Sequence, residues 1–539
     1  MAIASWGANA SANDVYLSWI AVGSANGSSC ANTYAYTYFN AAANWTSGTP
    51  SGTQIGPGST VHLCGTFTGS AGQQFFSAQG SGTSGNPITI FFEPNAVLQA
   101  PYISASSAIR VSGQSFITVD GGTKGLIQNT LNGTPGGACS GGACSYQQTS
   151  VAIQAFPCSS CEFRNLTIQN LYVHAMCEAG SGCDTAVDQT AVNAIQFGGS
   201  NVLIHDNVIH DVGWAFLEHA ANGDSGDRIY NNTIYNMDHG AVVGAGPGIT
   251  VPTLYIYNNH FRDMANWDTG TVDAYHHDGI HAFSTLNSGK IQNLYIYNNL
   301  FDGNQGNCCV TAWVFLEGGA NAGSTPWTDS TGTAYLWNNV VIGSYDSGNG
   351  QISIGSGSGH QILNNTILGT NLGLNGSCLL FDTSSSNVTV ENNAIAGCNQ
   401  LLANGGPPPT SFALIDYNIY GGTVRGGNPV FNFASHNSST FAGWQSACGC
   451  DSHSAASLGT TFATTIEGVP QSGFVGTGAG VNLSASATGN VASLLSDTSA
   501  GGTRKAIARP PNGPWDVGAY RNYNGAPPNP PTLLTTTVQ

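Results

Sequence analysis

Short runs of alternating apolar and polar residues recur along the middle of the chain and end alike: LTIQN at Asn170, LIHDN at Asn207, RIYNN at Asn232, LYIYNN at Asn259 and again at Asn299, YLWNN at Asn339, QILNN at Asn365, VTVENN at Asn393 and LIDYN at Asn418. These nine endings are 37, 25, 27, 40, 40, 26, 28 and 25 residues apart, a base period of 25–28 with three longer insertions. A fixed period of this length marks a repeat architecture. Each repeat continues into a second short apolar run (TIYNM, HFRDM, VVIGS, TILGT, AIAGC) and then into Gly and Ser. The runs alternate with period two and favour β-branched and aromatic residues, so they predict strands. None has the length of 3.6-residue periodicity that a helical repeat requires.

Strands this short, one set per repeat, predict an all-β parallel β-helix, a solenoid whose coils stack about 4.8 Å apart. One residue per coil at the same corner then forms a column. Asn suits that column because it tolerates the left-handed backbone conformation and because its amide both donates and accepts along an asparagine ladder. At about 1 kcal/mol net per bond, the ladder fixes coil register more than it adds stability. Residues 1–105 are expected to form an N-terminal cap and the first coils, with 29–45 (SCANTYAYTYFNAAANW) as a helical plug. The β-helix body is expected over 106–430, C-terminal coils and a cap over 431–525, and a Pro/Thr-rich, linker-like tail over 526–539.

Composition narrows the class. Hydrophobic content of 41% excludes a disordered chain despite 72 Gly and only 7% charged residues. A net charge of −17 argues against nucleic acid and anionic membrane surfaces, and against a strongly acidic substrate unless a divalent cation bridges it. No apolar run approaches a membrane span, so no membrane insertion is expected. The opening MAIASWGANA has neither the basic segment nor the apolar core of a secretory leader, as expected of a mature chain with an added Met. Fourteen Cys, mostly in close pairs, point to disulfides and a secreted protein. The rival for Cys158-x-x-Cys161 is a zinc site. A monomer is expected.

The asparagine doublets, with SGTSGNPITIFFEP near the start and RPPNGPWDVGAY near the end, resemble the secreted bacterial right-handed parallel β-helix proteins, the superfamily of pectate lyases, polygalacturonases and alginate epimerases. The resemblance spans nearly the whole chain and is one of architecture. It implies a polysaccharide or oligosaccharide partner and leaves the reaction open.

Candidate chemistry concentrates in the middle coils. Eight of the thirteen His lie between 205 and 281, and residues 201–320 hold twelve carboxylates against three basic residues. Long insertions fall there too, and loops on a rigid scaffold commonly carry function. Aligning Gly279 of HHDGIH with Gly240 of MDHGAV stacks Asp278 beside His239 and His277 beside Asp238. Paired carboxylates and imidazoles serve as acid–base groups that tune one another. Candidate catalytic residues are therefore Asp278, His239, His277 and His281, with Asp273 nearby and Glu218 and Glu317 in the similar frames WAFLE and WVFLE. The segment resembles the Asp/His clusters of β-helix hydrolases and epimerases. It lacks the Pro between Asp and His of the epimerases and the adjacent Asp pair and Arg-x-Lys of the polygalacturonases.

Trp267, Tyr275, Trp214 and Trp313 offer flat faces for sugar rings, and Arg262 a charge for substrate, although core packing competes for Trp214 and Trp313. No cofactor is required. Calcium is possible at Asp263, Asp268 and Asp273, and a transition metal at His276, His277, Asp278 and His281. The favoured function is a polysaccharide-active glycoside hydrolase using paired carboxylates. The alternatives are a calcium-assisted polysaccharide lyase and a non-catalytic carbohydrate-binding adhesin or structural surface protein. Aspartates and histidines that merely bond turn amides would leave the last of these standing.

Overall fold

A computed structural model of the chain describes residues 13–133, 148–173, 192–246, 248–264, 276–284, 289–306, 310–317, 319–320, 326–327, 331–344, 350–370, 376–404, 411–422, 430–458, 468–470, 473–484, 496–498 and 506–521. Between Gly213 and Trp214 the chain divides into two compact units. Both are built mainly from short parallel strands paired with their counterparts in the next coil.

In the first unit the strands Asn13–Ser18, Ser59–Leu63, Ile88–Phe92, Ile117–Asn129, Glu162–Gln169 and Leu203–His205 pair successively and in parallel. Their register aligns Val15, Val61, Ile90, Val119, Phe163 and Ile204 in one fully buried column. Alternation with period two produces this column, because every second side chain faces the coil interior. Each such apolar residue stabilises the stack by about 1.5–3 kcal/mol.

In the second unit the equivalent column is Ile229, Ile256, Ile296, Leu336, Ile362, Val390 and Ile415. The corner after these strands divides the doublet's work between its two asparagines. Asn231, Asn258, Asn298, Asn338, Asn364 and Asn392 adopt φ between 52° and 60° and turn the chain. The second members stack. The backbone N–H and the side-chain amide of Asn232 both donate to Asn259 Oδ1 at 3.0 Å, and the same pair of bonds runs from Asn259 through Asn299, Asn339, Asn365 and Asn393 to Asn418. The ladder ends where Asn418 donates to Ser454 Oγ and Asp451 Oδ1. Parallel aromatic stacks, Tyr230–Tyr257–Tyr297 and Tyr255–Tyr295–Tyr335, keep the same register at centroid spacings of 4.6–4.9 Å.

Two expectations change. The segment 29–45 is no long helix: it holds a two-residue strand, a helix over Thr37–Asn40 and a 3-10 turn over Ala42–Asn44. Asn, Thr and Tyr are poor helix formers, no side chain caps the helix start, and Cys30 is tied to Cys64. Cys158 and Cys161 are joined to each other, which overturns the zinc reading. The other disulfides among the described residues are Cys378–Cys398 and Cys448–Cys450. After the helix Phe441–Cys448, residues 473–484 and 506–521 lie against the flank of earlier coils. Gly518 N–H donates to Asn392 O, Ala519 N–H to Thr366 Oγ1, and Arg509 to Asn338 Oδ1. Among the described residues, no helix is long and apolar enough to cross a membrane.

Candidate functional site

Three strands of the second unit, Thr233–Ala245, His277–Ser284 and Val310–Leu316, carry the histidine-rich segments. Register sets His239 across from Asp278 and Val242 across from His281, with Phe315 beyond His281. The glycines that follow the Asp/His pairs are required by close approach. A Cβ on Gly240 would stand 2.3 Å from Gly279 O, and one on Gly279 would stand 2.5 Å from Trp313 O. With the backbones this close, the Asp-His and His-Asp pairs of adjacent coils meet side by side.

Asp238, fully buried, accepts from His239 Nδ1 through Oδ2 and from His277 Nδ1 through Oδ1, both at 2.6 Å, and from Trp214 Nε1 at 3.1 Å. Asp278, equally buried, accepts from Ala312 N–H through Oδ1 at 3.0 Å. Its Oδ2 lies 3.2 Å from His276 Nε2, 3.4 Å from His239 Nε2 and 3.8 Å from His281 Nδ1, none of them aligned as a hydrogen bond. His276 Nε2 and His281 Nδ1 are 3.4 Å apart, and His281 Nε2 bonds Glu317 Oε2 at 3.0 Å. One atom from each of His239, His276, Asp278 and His281 thus falls within 4.8 Å of the other three. Of these four side chains, only that of His276 is substantially open to solvent, at 44%.

Burial works against charge here, and the neighbours reverse it. Against the burial penalty, the surrounding imidazoles, His276 foremost, hold Asp278 down at about 2, and those of His239 and His277 hold Asp238 well below the usual carboxylate range. Burial likewise disfavours the His239 cation, yet Asp238 and Asp278 raise it to about 9. His281 goes the other way, lowered by burial, with Glu317 opposing.

The remaining sequence candidates scatter. Glu218 is buried beside a cavity of about 350 Å³ lined also by His219, Val243, Gly244, Ile249 and Phe283. It accepts from Gly244 N–H at 3.1 Å, and burial, reinforced by the charges of Asp227 and Asp224, raises its carboxyl well above the ordinary value. The Phe283 ring, which lines the cavity, packs 4.9 Å from His281 and stands between the cavity and the imidazole cluster. Glu317 is committed to His281. Trp214 is partly buried and tilted over His239, a support for the imidazole through Asp238. Trp313 is fully buried and donates to Ile342 O, so its place is the core and the sugar-stacking expectation is withdrawn. Arg262 bonds Asp263 at 2.6 Å and faces the Tyr235 ring, and Asp263 also accepts from Asn304 N–H. Asp268, Asp273, Trp267 and Tyr275 lie outside the described residues. His276 entered the sequence reading only as a metal ligand, because strand alternation gives no direction for a residue that precedes the strand.

No protein-family model matches the chain, and no curated sequence matches it. Eight solved chains match in structure. A pectate lyase (Pel9A) aligns with 13% identity and a TM-score of 0.33 over 94% of this chain and 96% of its own. A mutant of a PL6-family alginate lyase aligns with 12% identity and a TM-score of 0.33 over 77% of this chain and 55% of its own. A rhamnogalacturonan lyase aligns with 13% identity and a TM-score of 0.33 over 75% of this chain and 87% of its own.

Proposed function

We propose that the protein is a secreted polysaccharide-active enzyme that cleaves an acidic polysaccharide by elimination, with its reacting centre at His239, His276, Asp278 and His281. The disulfides agree with an oxidising, extracellular location. The observation that carries the reading is the convergence of three imidazoles, one of them open to solvent, on one buried carboxylate. Hydrolysis by two carboxylates finds less support. That chemistry needs one carboxyl acid and one free carboxylate facing each other across the bond. Here Asp278 is walled in by histidines, Glu317 is bonded to His281, and Glu218 is bound to Gly244 N–H.

Elimination from a uronate asks for two things in one place: positive charge against the sugar carboxylate, and a base for the proton next to it. A cation held at the imidazole cluster would supply the first, in a region where Lys and Arg are scarce. Glu317, partly exposed beside the cluster, is the proton acceptor this arrangement offers. A panel of neutral and acidic polysaccharides, with products weighed by mass spectrometry, tests the reading. Acidic substrates should give fragments that, wherever the non-reducing end is newly cut, are lighter by one water than hydrolysis products. Fragments of hydrolytic mass restore the hydrolase, and no product from any substrate favours a binding or structural role.

A further inference from the structure

Two hydrogen bonds decide which way the imidazoles of the cluster present their lone pairs. Asp238 Oδ2 can only accept, so the nitrogen 2.6 Å from it, His239 Nδ1, carries a proton, and in the neutral ring Nε2 turns its lone pair toward Asp278. Glu317 Oε2 does the same to His281 Nε2, which leaves the Nδ1 lone pair toward the same point. Neutral imidazoles so held would set lone pairs against a carboxylate oxygen that is buried and has no aligned donor. Further protons on the imidazoles, or a metal cation in their place, fill such a centre. The spacing says which kind. A tetrahedral ion with bonds of 2.0–2.2 Å separates its ligand atoms by about 3.4 Å. In this chain the separations are 3.2 Å (His276 to Asp278), 3.4 Å (His239 to Asp278), 3.4 Å (His276 to His281) and 3.8 Å (His281 to Asp278), and no pair exceeds 4.8 Å.

We infer that His239, His276, Asp278 and His281 form a four-ligand site for a divalent transition metal ion, zinc being the simplest match. Three nitrogens and one oxygen suit zinc and its neighbours, whereas calcium takes oxygen ligands in larger number. Carboxylates on the outer nitrogens of ligand histidines, the positions of Asp238 and Glu317, fix tautomer and ring orientation and strengthen the ligand. His276, half exposed, is the ligand that closes the site from the solvent side. His277 drops out of the metal set expected from sequence, because its Nδ1 is bonded to Asp238.

The inference stands apart from the polysaccharide reading, since metal uptake is measured without substrate. Untagged protein, stripped with chelator and dialysed, is titrated with zinc by calorimetry and with cobalt(II) followed by visible absorption. The expected result is one ion per chain with the intense bands of four-coordinate cobalt. His276→Ala, at an exposed position, should weaken zinc binding at least tenfold, and a His239→Gln/His281→Gln double variant with unchanged circular dichroism should lose it. His260→Gln, at an imidazole paired with Asp302 instead, should bind as the parent does. Absence of binding, equal affinity in the cluster variants, or uptake of calcium in place of zinc would overturn the assignment.

Discussion

Asp238 and His239 are neighbours in sequence whose side chains meet at 2.6 Å, Oδ2 to Nδ1. That one bond aims His239 Nε2 at Asp278 in the next coil. Asp278→Asn keeps the acceptor for Ala312 N–H and removes only the charge at the centre of the cluster. Turnover should fall roughly 100-fold or more, with the melting temperature nearly unchanged. A fully active variant removes Asp278 from the site, and a variant that fails to fold makes its role structural.

Trp214 acts on the same bond from the other side, donating to Asp238 Oδ2 at 3.1 Å. Trp214→Phe keeps the ring and deletes the donor. Loss of such supporting bonds costs about tenfold or more, expected here in kcat with KM and melting temperature unchanged. An equal loss in kcat and thermal stability would mean that Trp214 serves packing alone.

The strands, the ladder positions and the His239–Asp278 register were legible because all three follow from period two and a fixed coil length. Aligning Gly240 on Gly279 succeeded for a steric reason, since neither position has room for a Cβ. Legibility stopped where side-chain direction departs from simple alternation. His277 and Asp278 straddle a bulge, so both are buried, and His277 joins Asp238 rather than the cluster. The division of labour inside each Asn doublet was also hidden, because one residue type meets both demands: positive φ at Asn258 and stacking at Asn259. Trp313 and the C-terminal segments 473–484 and 506–521 depend on long-range packing that no local pattern encodes.

That division predicts opposite outcomes for adjacent residues. Asn259 accepts two bonds from Asn232 and donates to Ile229 O and Asn299, so Asn259→Ala should cost roughly 2–4 kcal/mol in denaturant unfolding. Asn258, at φ 56°, sits where glycine is at ease, and Asn258→Gly should change stability by no more than about 1 kcal/mol. Equal costs would refute the assignment of stacking to the second Asn.

Glu391 is buried, and burial together with Asp416 raises its carboxyl to about 7. A carboxyl raised on folding binds its proton more tightly in the native state. Its contribution is therefore fully present below the ordinary carboxyl value and is lost as pH rises through about 7. Glu391→Gln lacks this dependence. The melting temperature of the parent relative to the variant should fall between about pH 4 and about pH 8; a constant difference would show that Glu391 titrates normally.

The most direct test follows reducing ends and the ultraviolet absorbance of unsaturated sugars together, on one acidic polysaccharide, for the parent protein and for His276→Ala. Elimination at the imidazole cluster predicts that both signals rise in step for the parent and that both collapse in the variant. Reducing ends that appear without absorbance, or a variant as active as the parent, would contradict it.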